Sequence, residues 1–319
     1  MARPRGRAAL ARALALLGVC FALAAIPPSV AGAGTVFFST ADIYFSGKLW
    51  SVPDHGGKPR LLRERTFTGP GGVVATISRN GRRILCLCRR GEVDSISLDG
   101  SQMKRIGSRP RGTRYDVVAL GAGGETLWID ERHNRLMMVS AGDSHPHPVG
   151  TAGHGRIVEE SFAVNRAGDE VAFVTGRCRA GTCEEEVWVA PVGGGAKTRA
   201  YRVAGLRGVD GLQWSQDGRS LAFVDFPEFE DKYEIPEDPN DHLLVYSGGA
   251  VHEVPVVSPA SPDEPFFAPG GSSLALPGAA PGTLYAVGID GRPSRQLTHL
   301  RCNEVRCLFG PTVFGWVRG

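Results

Sequence analysis

Chemistry-bearing side chains concentrate in the stretch DFPEFEDKYEIPEDPND, from Asp225 to Asp241. It carries Asp225, Glu228, Glu230, Asp231, Glu234, Glu237, Asp238 and Asp241 against a single basic residue, Lys232, with Phe226, Phe229 and Tyr233 interleaved. Carboxylates this dense offer the oxygen ligands that Ca²⁺ gathers, roughly six to eight at a time. On that reading Asp225, Glu228 and Glu230 are the metal-ligand candidates, although the spacing matches neither an EF-hand nor a glycine-rich calcium repeat. The same composition suits a basic protein or peptide partner with the rings as anchors. That makes Asp225, Phe226, Glu228, Phe229, Glu230, Asp231 and Tyr233 the candidate ligand-binding residues. A solvated acidic loop is the ordinary account of such a stretch.

A histidine cluster, HPHPVGTAGH, holds His145, His147 and His154. In an extended strand His145 and His147 share a face, as two ligands of a transition metal would. No cysteine or carboxylate nearby completes a set, so polar histidines on an outer strand are the simpler reading. Catalytic signatures are missing: the chain has no Gly-x-Ser-x-Gly elbow, no His-Glu-x-x-His, no phosphate loop and no dinucleotide fingerprint. A site gathered from distant segments leaves no local motif, so this argues against an enzyme without excluding one. No cofactor is implied beyond the Ca²⁺ option.

The N-terminus sets the compartment. Residues 1–33 read as a secretory signal: Arg3, Arg5, Arg7 and Arg12 precede the apolar run from Ala13 to Ile26, and small residues follow at Ser29, Ala31 and Ala33. The apolar run is short for a membrane span, which leaves a secreted, periplasmic or cell-envelope protein, or one held by an uncleaved leader. Without those four arginines the 36 basic residues fall to 32, against 33 acids. A near-neutral chain has no global field to attract nucleic acid. Removing Cys20 leaves six cysteines, and in an oxidising compartment an even number points to disulfides. Cys178 with Cys183, and Cys302 with Cys307, each bracket a short loop and are the expected pairs. Cys86 and Cys88 lie two apart on one face of a strand and read as packed thiols.

What must position these groups is a repeat. An apolar strand ending in a glycine turn occurs six times: KLWSVPDHGG from Lys48, VDSISLDG from Val93, RLMMVSAGD from Arg135, EVWVAPVGG from Glu186, HLLVYSGGA from His242 and TLYAVGIDG from Thr283. A second phrase, strand, polar turn with Gly, strand, precedes five of them: ATISRNGRRILCLC from Ala75, VVALGAGGETLWI from Val117, SFAVNRAGDEVAFV from Ser161, GLQWSQDGRSLAFV from Gly211 and PFFAPGGSSLALP from Pro265. Together the two phrases form a four-stranded antiparallel unit, the blade of a β-propeller. Six copies of one phrase against five of the other leave one blade incomplete, and the chain ends supply its missing parts. Thr35 to Phe38 matches a second strand and Val313 to Trp316 a first strand, so residues 34–319 read as one six-bladed all-β propeller closed by its C-terminal strand.

The turn Trp214-Ser215-Gln216-Asp217-Gly218-Arg219-Ser220-Leu221-Ala222-Phe223 resembles the WD-like propeller repeat of TolB and of the propeller domains of prolyl-oligopeptidase-type peptidases. The pattern weakens through Ser78-Arg79-Asn80-Gly81 and Asn165-Arg166-Ala167-Gly168 to Ala268-Pro269-Gly270-Gly271. This resemblance implies the architecture; a fold of this kind hosts many functions. On this reading the hydrolase domain that a peptidase propeller serves is not expected to accompany the propeller.

In such a ring, turns joining strands one to two and three to four share one face and are short. Two-to-three and inter-blade connections share the other, with the Cys178–Cys183 loop, the acidic segment and the Cys302–Cys307 loop. Variable loops on a regular scaffold are where binding is usually placed. The expected function is therefore an exported, non-catalytic scaffold that binds a protein or peptide through that face. The alternative is a Ca²⁺-type propeller hydrolase whose carboxylates converge at the channel mouth.

Overall fold

The computed structural model describes residues 34–318 except 42–45, 68–74, 90–91, 109–117, 141–142, 144, 152, 154, 180–181, 206, 228–239, 257–259, 263, 279, 281, 291–294 and 301–308. The proposed leader, residues 1–33, lies outside this range. The described chain forms six four-stranded sheets, each antiparallel, arranged as a propeller. Blade 1 runs from the axis outward as β24 (Phe309–Val317), β1 (Thr35–Ala41), β2 (Ser46–Pro53) and β3 (Arg60–Phe67). Blade 2 is β4 (Ala75–Ile77), β5 (Arg83–Arg89), β6 (Glu92–Ser97) and β7 (Met103–Ser108). Blade 3 is β8 (Val118–Leu120), β9 (Thr126–Asp130), β10 (Arg135–Val139) and β11 (His147–Thr151). Blade 4 is β12 (Arg156–Val164), β13 (Glu170–Arg179), β14 (Thr182–Pro191) and β15 (Thr198–Gly205). Blade 5 is β16 (Arg207–Trp214), β17 (Ser220–Pro227), β18 (His242–Ser247) and β19 (Ala250–Glu253), and blade 6 is β20 (Phe266–Phe267), β21 (Ser273–Pro277), β22 (Thr283–Gly288) and β23 (Arg295–His299). Each innermost strand lies where the repeat count requires it, and each six-fold phrase supplies a third strand.

The turn phrase recurs because its hydrogen bonds are local. In blade 5 the Ser215 hydroxyl donates to Asp217 Oδ1 (2.7 Å) and accepts from the Ser220 amide (2.9 Å), while the Gly218 amide returns to the Ser215 carbonyl (3.0 Å). Gly218 has φ +72°, a left-handed value that favours glycine. Blade 2 repeats the scheme with Ser78 and Asn80, the hydroxyl donating over 2.9 Å. In blade 4 Asn165 serves alone, its Oδ1 accepting from the amides of Gly168, Asp169 and Glu170. The degraded copies thus keep the geometry with different acceptors.

The core lies in the seams between blades rather than within one layer. On β17, Leu221 and Phe223 pack toward blade 4 and Ala222 and Val224 toward blade 6, so the strand reads as a continuous apolar run, covered on both faces. The closing blade is built from both ends of the described chain by antiparallel strand pairing: Val36 pairs with Trp316 and Phe38 with Val313. Phe314 joins Phe37, Leu49, Ile77 and Ile84 in the seam between blades 1 and 2, while Val313 and Trp316 join Val36, Phe266 and Leu297 in the seam with blade 6. Gly315 lets β24 lie against β4, because a Cβ there would stand 2.1 Å from Ile77 Cγ1.

Cysteine placement agrees in part with expectation. Cys178 and Cys183 are direct cross-strand partners at the end of the β13–β14 hairpin and are disulfide-bonded. Cys302 and Cys307 fall outside the described residues. Cys86 corrects the packed-thiol reading: it is fully buried and disulfide-bonded, with its partner outside the described side chains. Burial and covalent pairing are compatible, and spacing on a strand could not separate them.

Candidate functional site

Arg207 begins β16 at the face of the two-to-three and inter-blade connections, and it grips both ends of the acidic segment. Its Nε donates to Asp225 Oδ1 at 2.5 Å, and its Nη2 donates to the carbonyls of Asp225 (3.0 Å) and Asn240 (2.9 Å). From the outer strand of the neighbouring blade, Tyr201 donates its hydroxyl to Asp225 Oδ2 at 2.6 Å. Burial first, and then this bond to a carboxylate, push the Tyr201 phenol well above its ordinary pKa. The clamp ties blade 4 to blade 5 and joins Asp225 to Asn240, on either side of residues 228–239.

The sequence candidates therefore divide. Asp225 is buried, its side chain 6% exposed, and is held by a cation and a phenol at the segment's base. A metal at Asp225 would have to displace the Arg207 guanidinium, a strong charge-assisted partner. Phe226 is half-buried and packs on the seam between blades 5 and 6. Glu228, Phe229, Glu230, Asp231 and Tyr233 lie outside the described residues, as does His154. His147 opens β11, while His145 precedes it beside Asp143 (3.4 Å); both are exposed on the opposite face. Among the described residues no group of three His, Cys, Asp or Glu side chains could hold a metal ion.

Near the channel mouth on the irregular face, three inner strands have irregular register with their neighbours: β12 between Ile157 and Phe162, β16 between Asp210 and Gln213, and β24 between Phe309 and Thr312. Bulges re-aim side chains and are common beside binding sites. Here the Ser161 hydroxyl donates to Asp210 Oδ1 (3.2 Å), and Glu185 of β14 accepts from the Val209 amide (2.7 Å). Glu185 thereby satisfies an inner-strand amide that faces away from its own sheet.

On the face of the short turns, the channel is crossed by side chains from four blades, joined to a backbone carbonyl of a fifth. Arg166 of blade 4 donates from Nε to the Arg79 carbonyl of blade 2 (3.0 Å) and from Nη1 to Gln216 Oε1 of blade 5 (2.8 Å). Gln216 in turn donates its amide to the Trp316 carbonyl of blade 1, and Arg79 pairs with Glu125 of blade 3 (2.8 Å). Sequence reasoning missed this lattice. Its signal was present: Arg79, Arg166 and Gln216 all occupy the second position of the inner turn, in SRNG, NRAG and SQDG. Above it lies a cavity of about 290 Å³ lined by the innermost strands, including Phe162, Trp214, Phe266, Phe314 and Trp316.

No family model matches the chain, and no curated protein matches it. Solved structures of similar fold include a chain of a nidogen/laminin complex, with TM-score 0.55, 10% identity, and coverage of 89% of this chain and 98% of that one. A TolB candidate from Agrobacterium tumefaciens matches with TM-score 0.39, 15% identity, and coverage of 84% and 71%. A prolyl endopeptidase matches with TM-score 0.45 and 14% identity over 85% of this chain and 42% of that one. At such identities the likeness is one of fold. The turn phrases and the blade order agree on a six-bladed β-propeller.

Proposed function

We propose that this chain is an exported, non-catalytic β-propeller that binds a protein or peptide through the face carrying its two-to-three and inter-blade connections. The observation that carries the reading is the contrast between the faces. On one, turns are short and side chains lace across the channel mouth through Arg79, Arg166 and Gln216. On the other, a rigid base of Tyr201, Asp225 and Arg207 holds the two ends of a long acidic, aromatic segment at a fixed place. Rigid anchorage lowers the ordering cost of a recognition loop. Export is supported by the basic, apolar and small-residue order of residues 1–33 and by the Cys178–Cys183 disulfide. No helix among the described residues is long and apolar enough to cross a membrane. The fold likeness to a chain of a nidogen/laminin complex adds an instance of this architecture within a protein assembly.

The test is capture of partners from the extracellular or envelope fraction by the intact protein and by a variant with residues 228–239 replaced with a short Gly/Ser linker. The linker variant keeps the Arg207 clamp, so its fold is expected to persist. Loss of a partner that intact protein retains supports the reading; equal recovery of every partner refutes the segment's role.

A further inference from the structure

We infer that the central channel holds a binding site for a small apolar carboxylic acid, its carboxylate on Arg166 and its body against the aromatic wall. This site is separate from the loop face and stands independently of the reading above.

The charge is the first observation. Arg166 reaches the channel from the inner turn of blade 4 and is only partly exposed. Its nitrogens donate to three neutral oxygens: the Arg79 carbonyl, the Ser78 carbonyl (3.4 Å) and Gln216 Oε1. Among the described residues no carboxylate lies within ion-pair distance; Glu125, the nearest acid in this lattice, is paired with Arg79. Burial pulls the Arg166 pKa down with no anion opposing it. A guanidinium offers more N–H donors than three acceptors use, and a partly desolvated cation without a counter-ion gains from an entering anion.

The wall is the second. Phe162, Trp214, Phe266, Phe314 and Trp316 line the same cavity, with Thr76, Gln213, Ser215, Gln216 and Thr312 as the uncharged polar groups beside them. A chamber with aromatic side chains in its wall, polar groups beside them and one charged group at its end orients an amphipathic ligand. Its volume of about 290 Å³ is at the small end of ligand pockets, which favours a compact acid over a drug-sized molecule. A free inorganic anion would leave the rings unused, and a neutral apolar molecule would leave Arg166 uncompensated.

Calorimetric titration of the intact protein with benzoate, phenylacetate and hexanoate, each beside its neutral amide, tests this directly. At least one acid is expected to bind saturably with one site per chain, at least tenfold more tightly than its amide, and to change the emission of Trp214 and Trp316. Acetate is expected to bind far more weakly. Arg166→Gln is expected to abolish the preference for acid over amide. Because Arg166 also laces blades together, the acid-against-amide comparison on the unaltered protein carries the test if that variant fails to fold. Absence of binding by all three acids, equal affinity for acid and amide, or an acid preference that survives in folded Arg166→Gln would each overturn the assignment.

Discussion

Substitution of Gly315 by Ala tests how the ring closes. Gly315 lies on the C-terminal strand, and a Cβ added there would stand 2.1 Å from Ile77 Cγ1 and 2.8 Å from Ile77 Cδ1. Ile77 belongs to the inner strand of blade 2 and is packed among Phe37, Leu49, Ile84 and Phe314, so it has little room to withdraw. Over-packing of this kind costs about 1–3 kcal/mol. In a domain of this size each kcal/mol lowers Tm by about 2–4 °C, so Gly315→Ala should melt roughly 2–12 °C below the parent. The clash is specific, so the double variant Ile77→Ala/Gly315→Ala should lose less than the sum of the single variants. Differential scanning calorimetry of the four proteins measures both quantities. An unchanged Tm in Gly315→Ala, or strict additivity with Ile77→Ala, would refute the close approach of the two strands and with it this form of closure.

Three further perturbations probe the same architecture. Deleting residues 310–319 removes the buried Val313, Phe314 and Trp316, at about 1.5–3 kcal/mol each, a sum comparable with a domain's whole stability; circular dichroism should show no cooperative melt, and a normal melt would contradict the six-bladed closure. Asp225→Ala removes the carboxylate shared by Arg207, 14% exposed, and Tyr201, and should cost about 3 kcal/mol in urea titration, near the low end for a broken buried pair because Arg207 keeps its carbonyl bonds; a loss below 1 kcal/mol, on the order of an exposed pair, would refute the clamp. The raised Tyr201 pKa has a definite sign: its contribution is complete below the unfolded phenol's value near about pH 10 and is lost as pH rises toward the folded value. Tyr201→Phe should therefore lose less stability than the parent across that alkaline range in urea titration, and equal losses would show that Tyr201 is not protected.

The blades were legible because their information is local. Ser78, Ser215 and Asn165 make their bonds within five residues, so a turn can be read from one short window. Closure was legible from counting, since the second-strand match at Val36 lacked a first strand until Trp316 supplied it. The clamp was not, because Tyr201 and Asp225 stand on different blades and meet only when these pack. Asp225 looked like one member of an acidic run, yet its environment is that of a structural anchor. Arg166 and Gln216 were hidden for a related reason: their turns were compared for what is shared, whereas the variable second position is the one that faces the axis. Cys86 shows the limit of spacing as evidence, since a buried thiol and a buried half-cystine have the same sequence signature.

The most direct test of the binding-face proposal is a hydrogen-exchange footprint of the intact protein with a captured partner. Protection should fall on the segment between Asp225 and Asp241 and on neighbouring two-to-three and inter-blade connections, leaving the SRNG, NRAG and SQDG turns unchanged. Protection confined to those short turns would contradict the account.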